Sequence, residues 1–308
     1  MKSPAITSAI SAREWFLLYL LSLLWGSSFL FFELSLDGLP PLTIVAIRMV
    51  LGASFLLAIL QQRRIVLAQV GAHWRRCLLF GLIGAALPFA CFAYAQVYIT
   101  SSLAAVLNST MPMFTFLIAS AIGQEKFSAL RLLGTVLGII GVAILVGPSA
   151  QGNLAETVGA LLCLVAAVLY AINTVAMRAW PGQMDASSLA LGLCIGAAAV
   201  SVAAAVAIED VNLAAAGWKS LAGAIGLGVL GTACAYRIFF YLLVRIGASN
   251  VSLCVLLIPV NAIPLGVIFL GEQLAISFFI GTAIIILSLM LVDRGISDSI
   301  SRLIRKRG

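Results

Sequence analysis

The chain has 308 residues, of which 63% are hydrophobic and 9% charged, with a mean hydropathy of +1.16. A water-facing domain carries roughly 25% charged residues, so this composition excludes a soluble globule and leaves lipid as the surrounding medium. The net charge of +7 does not indicate a nucleic-acid partner, because the basic residues sit in short gaps between apolar runs.

A helix needs about 20 residues to cross the hydrocarbon core. The first apolar segment, 15–36, follows Lys2 and Arg13 and is too long for the apolar region of a cleaved signal, so it reads as a spanning helix. Further spans are predicted at 41–60, 77–98, 102–122 and 129–147, and a second series at 157–178, 187–208, 220–243, 248–270 and 274–292. The fold class is therefore all-α integral membrane, with ten transmembrane helices. When the N-terminus is placed inside, Lys219 is alone among the 18 Lys and Arg in falling in an outer loop. Arg48 and Arg237 lie within spans, and the others fall on the inner side, so both termini are expected in the cytoplasm.

The chain repeats itself. At a shift of 147 residues, Gly81 and Gly84 match Gly228 and Gly231, Phe92 matches Phe239, and Tyr94 matches Tyr241. The same shift places Ser102 on Ser249, Pro112 on Pro259, Glu125 on Glu272, Gly134 on Gly281 and Thr135 on Thr282. Leu24-Trp25 matches Leu169-Tyr170 at a shift of 145. A first repeat over 1–148, a periplasmic linker at 149–156 and a second repeat with a basic cytoplasmic tail over 157–308 are expected. An odd number of helices per repeat inverts the second against the first. Inverted repeats are a recurring plan of secondary transporters, with the substrate near the midplane where the halves meet.

Cys77, Cys91, Cys163, Cys194, Cys234 and Cys254 all lie in apolar segments without a Cys-x-x-Cys pair, which fits packing and not a disulfide or metal site. His73 stands alone in a basic loop. No cofactor and no metal site is expected, and no Walker A motif for ATP hydrolysis is present.

The motifs are more specific taken together. Leu24-Trp25-Gly26-Ser27-Ser28-Phe29 in the first span is followed by Pro40-Pro41 and Arg48 at the second. Pro112 and Gly123-Gln124-Glu125 in the first half are answered by Pro259 and Leu270-Gly271-Glu272-Gln273 in the second. Over nearly its whole length the chain resembles the drug/metabolite transporter superfamily in its EamA-type, ten-helix branch. Tyr170-Ala171-Ile172-Asn173 departs from the first-half motif. The resemblance implies export of amino acids or related metabolites across a bacterial inner membrane, with a look nearest to aromatic amino acid exporters.

Charges inside spans cost about 2.5–3.5 kcal/mol at a helix centre, so each needs a reason. Arg237 is a candidate for a substrate carboxylate, or snorkels to the headgroups. Arg48 reads as structural, capping carbonyls or pairing with Glu33 or Asp37. Mid-span Trp25, Ser28, Tyr94, Tyr98, Asn108, Tyr170, Asn173, Tyr241 and Asn261 are candidates for substrate contact, with helix–helix hydrogen bonding as the alternative for each. Tyr98 also suits the interfacial aromatic belt. Pro112 and Pro259 mark candidate hinges with matched bends, and the paired Gly-x-x-Gly positions suit close helix approach.

Glu33 is the one acid inside a span away from helix ends, and the mid-helix glutamate of the small multidrug relatives is missing. Gradient-driven uniport by alternating access is therefore expected, ahead of proton antiport. The partners are the lipid bilayer and a small-molecule substrate, and a chain that holds its own pseudo-dimer suffices as a monomer. The competing functions are efflux of lipophilic cations, which wants buried acids, and a membrane enzyme or non-transporting scaffold.

Overall fold

A helix satisfies its own backbone groups, which is why a chain this apolar enters lipid as helices. The computed structural model describes residues 11–60, 64–125, 127–150, 153–178, 184–214, 216–251 and 253–293. Lys2, Arg63, Lys126 and the predicted basic tail lie outside the described residues.

Ten apolar helices are present among the described residues: α1 (Ala12–Leu36), α2 (Pro41–Leu60), α4 (Trp74–Ala95), α5 (Ser101–Ala121) and α6 (Ala129–Ala150), then α7 (Leu154–Arg178), α8 (Ala186–Ile208), α9 (Trp218–Leu243), α10 (Leu253–Leu270) and α11 (Ile276–Val292). His73, half-buried, stands at the N-cap position of α4 with its ring Nδ1 3.0 Å from the Gln69 carbonyl, and the short α3 (Arg64–Ala72) joins α2 to α4 where a loop was expected. It buries Val66 and is tied to the start of α8, where the Asp185 amide donates to Gln69 Oε1 at 3.1 Å. Helices also run into the predicted linker from both sides, as far as Ala150 and from Leu154. Phe16, Ile139, Val206 and Ile268 are among many large apolar side chains exposed on the outside, a surface that lipid covers.

The contacts between halves come in symmetric pairs. α1 packs on α9 and α10, and its counterpart α7 packs on α4 and α5. α2 lies against α8 and α6 against α11, each helix meeting its own equivalent. This is the pattern of two inverted five-helix repeats about a pseudo-two-fold axis that runs between α2 and α8. Small residues permit the approach: Gly141 and Gly281 face one another's backbone across α6 and α11.

The glycines before Glu125 and Glu272 have a mechanical role. Gly123 and Gly271 adopt φ of 75° and 66°, in the left-handed region that a residue with a Cβ enters reluctantly. The turn after Gly271 brings Glu272 to the N-terminus of α5, where Oε1 accepts from the Ser101 amide at 2.8 Å and from Ser101 Oγ at 2.7 Å. A carboxylate at a helix N-terminus meets unpaired N–H groups and the positive end of the macrodipole. Glu209 does the same for α2, accepting from the Leu42 and Thr43 amides, both at 2.8 Å. In the first half Glu125 pairs with Arg131 at 2.6 Å, and Arg131 also donates from Nε to Val292 O at 2.8 Å.

The two candidate hinges are built differently. α5 is interrupted after Asn108, and Pro112 lies in the first turn of its second piece, Met111–Ala121. The Ser109 and Thr110 hydroxyls donate to the Val106 and Leu107 carbonyls, both at 2.6 Å, and satisfy groups that the break leaves open. Pro259 sits inside α10, which continues unbroken past it and past Pro264. The two hinge positions thus differ in build, a break in α5 against a continuous helix in α10.

Candidate functional site

The repeat carries matched π-turns. α4 widens over Leu82–Ala86 and α9 over Val229–Cys234, which coincide at the 147-residue shift. A π-turn inserts a residue, frees a carbonyl from its usual partner and often marks a functional site. In α9 the Thr232 hydroxyl donates to the Leu227 carbonyl at 3.0 Å, replacing the lost bond. Gly84 and Gly231 lie in these turns against neighbouring side chains, Asn173 of α7 on the first and the Ser28 hydroxyl of α1 on the second.

Arg48 of α2 meets the second turn at the seam. It is 3% exposed. Its Nε donates to Thr232 Oγ1 at 3.0 Å and its Nη2 to the Gly231 carbonyl at 3.4 Å. The guanidinium lies 3.7 Å from the Phe89 ring centre and 5.4 Å from that of Phe32. A desolvated cation–π contact of this kind is worth about 2 kcal/mol, short of the cost of burying the charge. Tyr170, Tyr236 and Cys194 are close enough to interact electrostatically with it. The expected pairing with Glu33 or Asp37 does not form. Gln96 donates to Glu33 at 3.4 Å, and Arg48 spans the seam to carbonyl and hydroxyl oxygens instead.

Of the residues expected to touch substrate, the structure brings some to this place. Tyr170 lies between Phe89 and Phe92, at centroid distances of 6.1 and 6.2 Å. Trp25 is half-buried against Phe239, 5.7 Å away, and Ser28 abuts the Gly231 turn. Asn173 is buried, with Nδ2 donating to Met177 Sδ at 3.2 Å and Oδ1 without a partner.

Others are elsewhere. Arg237 is exposed, so the reading as an inward-facing carboxylate ligand finds no support in its position. Tyr94 donates to Glu209 at 3.4 Å beside the α2 N-terminus, and Tyr98 is 44% exposed. Tyr241 lies under the guanidinium groups of Arg13 and Arg245. Asn261 donates to Ser22 Oγ at 2.8 Å and to the Leu257 carbonyl at 3.1 Å, a brace between α10 and α1. Asn108 ends the first piece of α5, half-buried. Phe32, Phe89 and Thr232 were not singled out from sequence. The signal that leads to them is Arg48 itself, since a charge in a span needs partners across the helix interface.

Comparison with known proteins agrees with this architecture. The EamA-like transporter family matches twice, over residues 13–147 and 157–293, one match per half. An uncharacterized transporter of Bacillus subtilis, YoaV, is 26% identical over 86% of this chain and 91% of its own length. The inner membrane transporter YedA of Escherichia coli, also uncharacterized, is 26% identical over 90% of each chain. A crystal structure with a TM-score of 0.67 and 19% identity covers 92% of this chain and 99% of its own, which shows the shared fold. The chain is thus a multi-pass membrane transporter, not an enzyme, and it belongs to the EamA-like transporter family of the drug/metabolite transporter superfamily.

Proposed function

We infer that the protein exports amino acids, aromatic and other neutral ones, or related metabolites across the bacterial inner membrane by alternating access. The observation that carries the reading is the aromatic-walled seam, where Phe32 and Phe89 lie over the buried Arg48 guanidinium, Tyr170 packs on Phe89, and Tyr236 of the second half is within electrostatic range. Small glycine-lined turns beside it supply backbone that can reshape with little steric penalty. Transport by uniport agrees with Glu33 being held by Gln96 near the end of α1, away from Arg48's contacts. Efflux of lipophilic cations is disfavoured, because the buried charge at the seam is positive.

Both termini face the cytoplasm in this reading, and a monomer is the working unit. Maleimide labelling of single cysteines placed at the C-terminus and beside Lys219 tests the orientation: labelling of the first from outside intact cells contradicts it. Counterflow of labelled amino acids in proteoliposomes tests the function. Net movement of substrate without an imposed pH gradient supports uniport, net movement only with a gradient replaces it by antiport, and no counterflow of any amino acid removes the reading.

A further inference from the structure

Arg48 lacks a counter-ion among the described residues. Among the described residues it forms no ion pair, and its bonds to Thr232 and Gly231 use two of the five N–H groups a guanidinium carries. Nη1 has no hydrogen-bond partner among the described residues. A cation this deep is retained against its desolvation cost where it has a function, and its free donors match a carboxylate's two oxygens in plane and spacing.

The repeat isolates this charge further. At the 145-residue shift Arg48 falls on Leu193, next to Cys194, so the second half supplies no matching cation and no acid. α2 and α8 lie against one another across the pseudo-two-fold axis, and Cys194 is within electrostatic range of the guanidinium. One unopposed positive charge therefore sits near the axis. The rings of Phe89 and Phe32 lie over it, and the phenols of Tyr170, which packs on Phe89, and of Tyr236 are within electrostatic range. The two acids of α1 are engaged elsewhere, Glu14 with Ser11 and Arg245, and Glu33 with Gln96.

We propose that Arg48 is the anion-binding group of the seam, taking the carboxylate of a small organic acid whose aromatic or apolar body lies against Phe89, Tyr170 and Tyr236. The proposal rests on the transporter reading above and deepens it by naming the charge class: anions first, zwitterions second, cations excluded. A zwitterion gains the carboxylate contact but finds no acid for its ammonium, whereas a 2-oxo acid or aryl carboxylate brings the missing counter-ion alone.

Three compounds with one phenyl body separate these classes: phenylpyruvate (anion), phenylalanine (zwitterion) and phenethylamine (cation). Phenylpyruvate is expected to inhibit phenylalanine counterflow in proteoliposomes at least tenfold more strongly than phenethylamine. Arg48→Gln is expected to remove that preference, while Arg48→Lys keeps its direction at weaker affinity. A brace holding only α2 to α9 moves stability and leaves the charge preference intact, so an unchanged preference in a folded Arg48→Gln overturns the proposal. Equal inhibition by phenethylamine and phenylpyruvate of the wild-type protein also overturns it, whether or not the variants fold. If no amino acid exchanges, the export reading fails by itself. Thermal shift in detergent then decides the anion site: stabilisation of the wild type by phenylpyruvate and not by phenethylamine supports it, and no shift or equal shifts overturn it.

Discussion

The two π-turns are built on one backbone plan and hold different chemistry. In the first half, Leu82–Ala86 leans on a neutral amide, Asn173, through Gly84. In the second, Val229–Cys234 leans on Ser28 through Gly231 and lends a hydroxyl and a carbonyl to a buried guanidinium. Duplication thus preserved the places where helices touch and let the charge diverge. A transporter that must open to either side benefits from symmetric contacts, while a site that recognises one ligand needs only one copy of its anchor.

That contrast can be broken at several places. The largest effect is expected at Gly81→Ala beside the first turn, where a Cβ meets the backbone of Gly196 and Ala197, which cannot rotate away. The substitution should cost about 1–3 kcal/mol, seen as a fall in melting temperature in detergent. Gly231→Ala, where the obstacle is the Ser28 hydroxyl, should lose less, and equal losses at both positions would deny the difference in rigidity.

Thr232→Val comes next. It preserves shape but strands Arg48 Nε and the Leu227 carbonyl, with an expected loss of about 1–3 kcal/mol and a drop in transport rate. Retention of wild-type stability and transport by this variant would mean that the hydroxyl is not what ties the guanidinium to α9. At the end of the seam, Glu272→Gln removes charge from the α5 cap and should cost about 1 kcal/mol by thermal denaturation, with substrate affinity unchanged.

Asn173→Leu is the sharper test of the first turn. Because Oδ1 has no partner, an apolar side chain of similar size should leave stability within about 1 kcal/mol of wild type. A strong loss of transport with stability intact would then assign the amide to the substrate. Arg237→Gln should do least, within about 0.5 kcal/mol and without effect on counterflow, as for an exposed residue.

Sequence reading was strong where hydropathy decides. The span at 41–60 coincides with α2, and 77–98 slides by one turn to Trp74–Ala95 because Arg75 and Arg76 are admitted into the helix end. The nine-residue α3 escaped because it is too short to register as a span. The π-turns were illegible because an extra residue per turn leaves no compositional trace, though the Gly-x-x-Gly pairs flagged their positions. Arg48 reads from sequence as capping carbonyls or pairing with nearby acids, and the carbonyl alternative is the one that forms. Its true partners are 183 and 184 residues away, across an interface that only the folded repeat creates. For Arg237 the sequence leaves a substrate carboxylate and snorkelling to the headgroups both open, and its exposed position agrees with the second, because burial depends on helix rotation that hydropathy does not report.

The Glu272 cap has a consequence for how the molecule is made. Helix α5 belongs to the first half, yet the carboxylate on its first amides is encoded 171 residues later, and α2 likewise waits for Glu209, 167 residues on. While the chain emerges from the ribosome, both helix ends stand open in the headgroup layer until the second half has been threaded. The first half therefore leaves the insertion machinery unfinished, and the late carboxylates act as latches that close the early helices onto the completed protein.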